Sequence, residues 1–540
     1  MEANQNIDRR FYPLKLLVIP GVVLLSQLLF SILSQPQAIN HDCAFILHGA
    51  QLILDGKHPM SGFLDMAPPL TFYSVVPICL VSQSLNIQLP LVWNLLCFVF
   101  VCLTYALAVL IVRRDSDKLT ARDWFMVGPL FSGFLLWNLV ITYHLGQREH
   151  LFVLTFFLFF LLRWKRLLGH DVSKRIAIFA GIACGFICFV KPYFVAVVFA
   201  VELYWFLNSL LRKRRENYLF IKAPEMVSLI AIGAVLPLIS LLIPNISQYY
   251  DRIIPMVVNG YQAFDVSKAA LFSFESIHGE LVGNRGLIIT FMLLGLLFIR
   301  KTSLLAPLMV WTLSGFAVYA WQGKGWAYHS VPMVAGYYLS ASLVLGLLSV
   351  FLLRLLSRLN KSLDYWNPKV FETVNSNRIQ IQVATVTFIF CGALSIPFSP
   401  LIIRDSSCTA KVFPVLDAVI TRETKPLDRI MVLTTNFSAA FPVVLQLNRR
   451  QAARYLWCFN VPMFEVLRKG PDGAKWESEH KTFLNEVAED IRESKPTLIA
   501  FDKWSKGLHQ DLLADPSVNA ALDNYEPLRG ENGFALWKLK

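Results

Sequence analysis

Residues 176–210 form one apolar run, about twice what a single membrane crossing needs. Basic clusters flank it on both sides, Lys174-Arg175 before and Arg212-Lys213-Arg214-Arg215 after. Basic loops stay on the cytoplasmic face, so both ends lie inside and the run is a hairpin. Its turn falls at Lys191-Pro192-Tyr193, where the proline ends the preceding helix. Only 16% of the 540 residues are charged and 55% are hydrophobic, so the rest of the chain follows the same logic. This is the composition of a polytopic α-helical membrane protein.

Further spans are expected at 14–33, 91–112, 124–142, 150–162, 226–243, 287–299, 304–321, 331–353 and 382–397. With the hairpin they make about eleven crossings. Arg9, Arg10 and Lys15 precede the first, and no small-residue cleavage site follows it. The N-terminus is therefore placed in the cytoplasm and the C-terminus outside. The net charge of +13 gathers in short runs between spans, which reads as topology and not as a nucleic-acid surface. Most cysteines lie in spans and read as small core residues; Cys184 and Cys188, one helical turn apart, lack the partners of a metal site. Cys408 and Cys458 fall in the tail, where oxidation would let them pair.

From about residue 404 the composition changes. Apolar strands are expected at 429–433, 496–501 and 535–539, with helices at 437–447 and 476–494. The alternation predicts a small extracytoplasmic α/β domain over 404–540, behind a membrane domain over 1–403. The tail has no GxGxxG and no P-loop, which argues against a nucleotide site.

Three polar elements fall on the outer side, in loops expected at 35–90, 143–150, 244–286 and 321–331. The first runs from His41-Asp42 to Asp65-Met66-Ala67-Pro68-Pro69. Carboxylates near a membrane are costly unless wet, paired or used. Between them, His41, His48, Gln51 and Asp55 share one stripe of an amphipathic helix, expected at the interface with that stripe in water. Asp42 also suits a plain helix cap. The second element is Gly146-Gln147-Arg148-Glu149-His150, in which Arg148 can grip a phosphate and Glu149 supplies an acid. The alternative is a local Arg148–Glu149 surface pair. The third is Gly323-Lys324-Gly325 followed by Trp326, Tyr328 and His329. Glycines on either side of a lysine let the backbone approach an anion, though a belt of interfacial aromatics looks the same in sequence.

Asp42 soon after the first span, Gly56-Lys57-His58-Pro59 and Asp65-Met66-Ala67-Pro68-Pro69-Leu70 resemble the first loop of GT-C membrane glycosyltransferases. The nearest set is dolichyl-phosphate-mannose-protein mannosyltransferase-like, with bacterial relatives that add sugars to lipopolysaccharide or lipid A. The resemblance covers the membrane half of the chain and implies an inverting transfer of a sugar from a polyprenyl-phosphate donor. The acceptor is a hydroxyl of a glycolipid, polysaccharide or protein. The resemblance makes Asp42 the catalytic base, with Asp65 its alternative, and places Glu149 at the active site. It puts Lys324, His329, Arg148, Lys191 and Tyr328 at the donor phosphate, and His41, His48 and His150 beside acceptor or sugar. His41 and Cys43 flank Asp42 where the family pairs a second acid, and Ala67 stands where the protein-modifying branch often has histidine. Both departures argue against a strict protein O-mannosyltransferase.

No metal or cofactor is expected, and the resemblance points to a bacterial inner membrane with the tail in the periplasm or outside. Two rivals stay open, a transporter or flippase of a lipid-linked or anionic substrate, and a non-catalytic assembly or sensor protein.

Overall fold

The computed structural model describes residues 5–114, 121–141, 144–211, 222–272, 285–359, 414–504, 507–529 and 533–540. The chain divides into two compact units. The first contains 1–34, 95–234 and 266–403; the second gathers 35–94, 235–265 and 404–540.

Apolar helices run through the first unit or continue into it: α1 (Gln5–Ser34), α2 (Leu89–Arg113), α3 (Ala121–Val140), α4 (Arg148–Leu167), α5 (Lys174–Val190), α6 (Phe194–Leu211), α7 (Pro224–Ser240), α8 (Arg285–Phe298), α9 (Leu305–Gln322) and α10 (Val331–Leu359). Each falls where a span is expected. The last expected span, 382–397, lies outside the described residues, as do Cys408 and part of the 244–286 loop. Three described helical stretches are long and apolar enough to cross a membrane by themselves: Leu89–Arg113, Phe194–Leu211 and Ala327–Leu352. The long apolar run is a hairpin, α5 and α6, broken at Lys191-Pro192-Tyr193.

The axis of this unit is α4. It is apolar all round its middle and buried along nearly its whole length, as befits a helix with neighbours on every side. Phe152 stacks on Phe194 with ring centroids 4.3 Å apart, and Phe156 and Phe160 pack against Trp311. Gly315 and Gly336 let the backbones of α9 and α10 approach closely; a Cβ on Gly315 would lie 2.6 Å from the Met333 backbone nitrogen.

In the second unit, strands β1 (Arg429–Leu433), β2 (Arg450–Gln451), β3 (Leu498–Asp502), β4 (Tyr525–Leu528) and β5 (Phe534–Leu539) form one sheet in the order β2-β1-β3-β5-β4. β1 is parallel to β2 and β3, while β5 is antiparallel to β3 and β4. The expected helix at 437–447 is two short helices, Phe437–Ala440 and Val443–Gln446. Pro442 lies between them, because a proline interrupts a continuous helical ladder. Cys458 is a buried free thiol.

The first-loop helix forms over His41–Leu54, but the middle of its polar stripe does not face water, while Asp55 at its end stays exposed. His48 and Gln51 are buried, and Arg450 bonds Asp55 at 2.7 Å and Gln51 at 3.3 Å. The stripe is a docking surface for the tail. An amphipathic pattern records two faces; which one meets water depends on chain some 400 residues away.

Candidate active site

Asp42 sits in the first turn of the His41–Leu54 helix and is partly exposed. The cap is supplied by Asn40, whose side-chain oxygen accepts the Asp42 N–H at 2.9 Å. The plain-cap reading of the Asp42 carboxylate therefore fails. His41 stands beside it, edge-on to Phe437 with centroids 5.5 Å apart. Burial holds the His41 imidazole below its ordinary range, against the pull of the Asp42 charge.

Asp65 is placed differently. It is 2% exposed and both its oxygens receive donors: the Ala67 N–H at 2.7 Å and the Trp457 Nε1–H at 2.9 Å. This carboxylate pins the loop to the tail domain, so its geometry is that of an anchor and not of a base. His48 likewise serves docking. Its Nε2 accepts the Gln451 N–H at 3.1 Å. Burial, then the Arg450 charge, pushes its pKa down to about 3.

In the helical unit, the tight turn before α4 brings Arg148 and Glu149 to the helix start. The α5–α6 turn delivers Lys191, and the segment between α9 and α10 delivers Lys324, Tyr328 and His329. Glu149 bonds Lys191, not its neighbour Arg148, so the local-pair reading is replaced by a contact across 42 residues. The Lys191 ammonium also lies 4.9 Å from the Tyr328 ring centroid, within cation–π range. Tyr328 meets His329 edge-on at 4.5 Å. Gly323 and Gly325 have φ of 67° and 64°, left-handed values that favour glycine. The glycines thus flank Lys324, which is 5% exposed.

His329 is buried, and the charges of Lys191, Arg148 and Lys324 all act on it. Among the described residues no protein group meets its Nδ1. Three cations and one carboxylate thus gather around a buried imidazole, an arrangement suited to an anion. His150 does not share it: Nδ1 accepts the Gly146 N–H at 3.1 Å and Nε2 bonds Asn138 at 3.0 Å. It braces the turn that presents Glu149. No cluster of three or more His, Cys, Asp or Glu fit for a metal occurs among the described residues.

The sequence reading passed over a second charged cluster. Arg163 pairs bidentately with Glu202 at 2.7 and 2.8 Å and also reaches Glu225 at 3.3 Å. Arg166 pairs bidentately with Glu225 at 2.7 and 3.0 Å. Arg163, Glu202 and Glu225 are buried. The cluster lies about 20 Å along α4 from Glu149 and ties α4 to α6 and α7. The available signal was Glu202, a lone acid in an otherwise apolar run.

No family model matches the chain, and no curated protein matches it in sequence. Among solved structures, the fold is shared with ArnT from Cupriavidus metallidurans, determined bound to undecaprenyl phosphate. The match has a TM-score of 0.53 and 12% identity, over 96% of this chain and 97% of that one. In fold the chain is similar to ArnT; its first-loop motifs are what resemble the GT-C membrane glycosyltransferases.

Proposed function

We propose that this protein is an integral membrane glycosyltransferase. It moves a sugar from a polyprenyl-phosphate donor to a hydroxyl of a lipid, polysaccharide or protein acceptor on the outer face of a bacterial inner membrane. The observation that carries this reading is the set of cations around His329, set among apolar helices. An anion that resides in a bilayer is a lipid phosphate, and the fold shared with ArnT, solved with undecaprenyl phosphate, supports that ligand class.

Phosphate leaves without protonation, so one base is sufficient. Asp42 takes the proton of the acceptor hydroxyl. The new bond forms between that oxygen and the anomeric carbon, and the bond from that carbon to the phosphate oxygen breaks with its electron pair on phosphate. Arg148, Lys191 and Lys324 stabilise the growing charge, and His329 offers a hydrogen bond. Attack from the side opposite the phosphate inverts the anomeric centre. Nothing in the described residues favours the carrier reading.

The test is transfer by purified protein in nanodiscs from a panel of radiolabelled undecaprenyl-phosphate sugars into a bacterial membrane extract. Wild type is expected to label a product, with Asp42→Asn folded and inactive. Full activity in Asp42→Asn, or no interaction of wild type with any donor or with undecaprenyl phosphate, overturns the reading.

A further inference from the structure

We infer that Glu149 is a resident counter-ion that yields Lys191 to the donor phosphate and reclaims it once the sugar has left, so that it speeds release of the spent polyprenyl phosphate. The inference rests on the function proposed above and concerns the same site.

The first support is how incompletely Glu149 is engaged. The pair is buried, with side chains 1% and 9% exposed. One oxygen of Glu149 accepts from Lys191; the other, Oε2, is buried and meets no protein donor among the described residues. The structural carboxylates of this unit look different. Glu202 and Glu225 each have both oxygens on an arginine fork. A buried carboxylate with one oxygen unmet is poorly suited to a permanent brace.

The second support is that each partner is stabilised without the other. Glu149 lies in the first turn of α4, where exposed amides and the helix dipole favour negative charge. Lys191 lies near the Tyr328 ring, and its ammonium is 6.0 Å from the Phe194 ring centroid. Those faces support the cation while it changes partner.

The third support is charge balance over the reaction. The donor phosphate is a diester with one negative charge. The product is a monoester, which carries nearly two at neutral pH because its second pKa is about 6. Arg148, Lys191 and Lys324 therefore hold the product more tightly than the donor. A carboxylate positioned to take Lys191 back opposes that trap.

The experiment measures binding of undecaprenyl monophosphate to wild type and variants in nanodiscs by calorimetry. Glu149→Gln is expected to bind it about tenfold more tightly than wild type at pH 7.5. The gain should shrink toward pH 5, where the monoester loses its second charge. In the double variant Glu149→Gln with Lys191→Gln the gain should vanish. In turnover, the later rounds of Glu149→Gln should slow relative to its own first round. Equal or weaker binding by Glu149→Gln, or a gain that persists without Lys191, overturns the inference. Should Glu149→Gln fail to fold, Glu149→Asp shortens the reach to Lys191 and must still tighten binding; no tightening overturns it too. Wild type that binds no monophosphate at all overturns the proposed function itself, whereas normal wild-type binding with an unmoved Glu149→Gln overturns only this inference.

Discussion

The indole N–H of Trp457 donates to Oδ2 of Asp65 at 2.9 Å, across 392 residues of chain. It makes the tail domain a structural support of the first loop. Removing either partner leaves a buried polar atom unmet, at a cost of about 1–3 kcal/mol. Asp65→Ala and Trp457→Phe should each lower the melting temperature of the purified protein. A double-mutant cycle should show their effects to be coupled. Additive losses would mean that the contact is incidental.

Asp42 and the cationic cluster should fail in different ways. Asp42→Asn should cut turnover about 10²–10⁴-fold, the usual span for loss of a general base, with donor binding kept. Lys324→Met should weaken donor binding about tenfold or more. Steady-state kinetics with binding measured in parallel distinguishes the two. A Lys324→Met protein that binds donor like wild type removes that lysine from the phosphate site.

Two buried groups of the second unit pull stability in opposite directions with pH. His48 is pushed down to about 3, so only the unfolded chain is protonated between about 6.5 and 3. Its contribution is fully present above 6.5 and drains away as pH falls through that window. Asp490 is pushed up to about 6 by burial, against the hydrogen bonds and charge of Arg454. Its contribution is present below about 4 and is lost as pH rises through 6. Hydrogen exchange over the His41–Leu54 helix at pH 7.5 and 5 should show acid loosening in wild type. His48→Gln should weaken that response and Asp490→Asn should deepen it. An unchanged response in His48→Gln would assign the loosening to other groups.

The buried arginine fork should prove intolerant of change. Arg163→Met leaves Glu202 buried without its guanidinium, a loss of about 3–5 kcal/mol. Arg163→Lys should fare almost as badly, because a lysine cannot make the planar two-point contact. The yield of monodisperse protein in detergent is the readout. Partial rescue by Arg163→Met with Glu202→Gln is expected, since it removes both charges together. Wild-type yield from Arg163→Met alone would show that the fork contributes nothing.

What the sequence made legible follows from range. Basic clusters at both ends of 176–210 were enough to call the hairpin and its turn, because charge and apolar length are local properties. The tail strands near 430, 498 and 535 were equally plain. The fate of the first-loop stripe was not, since His48 and Gln51 are polar in any surroundings and only Arg450 and Gln451 decide that they are covered. Arg163, in a basic run at the end of an apolar stretch, has the local pattern of a cytoplasmic marker, yet it is buried against Glu202. Asn40 took the cap that Asp42 seemed to occupy. At the site, Lys191 was legible as the turn of the hairpin, and it is the residue that meets both Glu149 and Tyr328.

The second unit is stitched from three distant stretches of chain, and that imposes an order on synthesis. Residues 35–94 leave the ribosome while the sheet that later covers them is still untranslated, a gap of some tens of seconds at ordinary elongation rates. For that interval the faces of Phe45 and His48 that later meet Phe441 are uncovered. A ribosome stalled before β1 therefore leaves a nascent chain that the membrane-insertion machinery must shield, and quality control has a defined species to recognise.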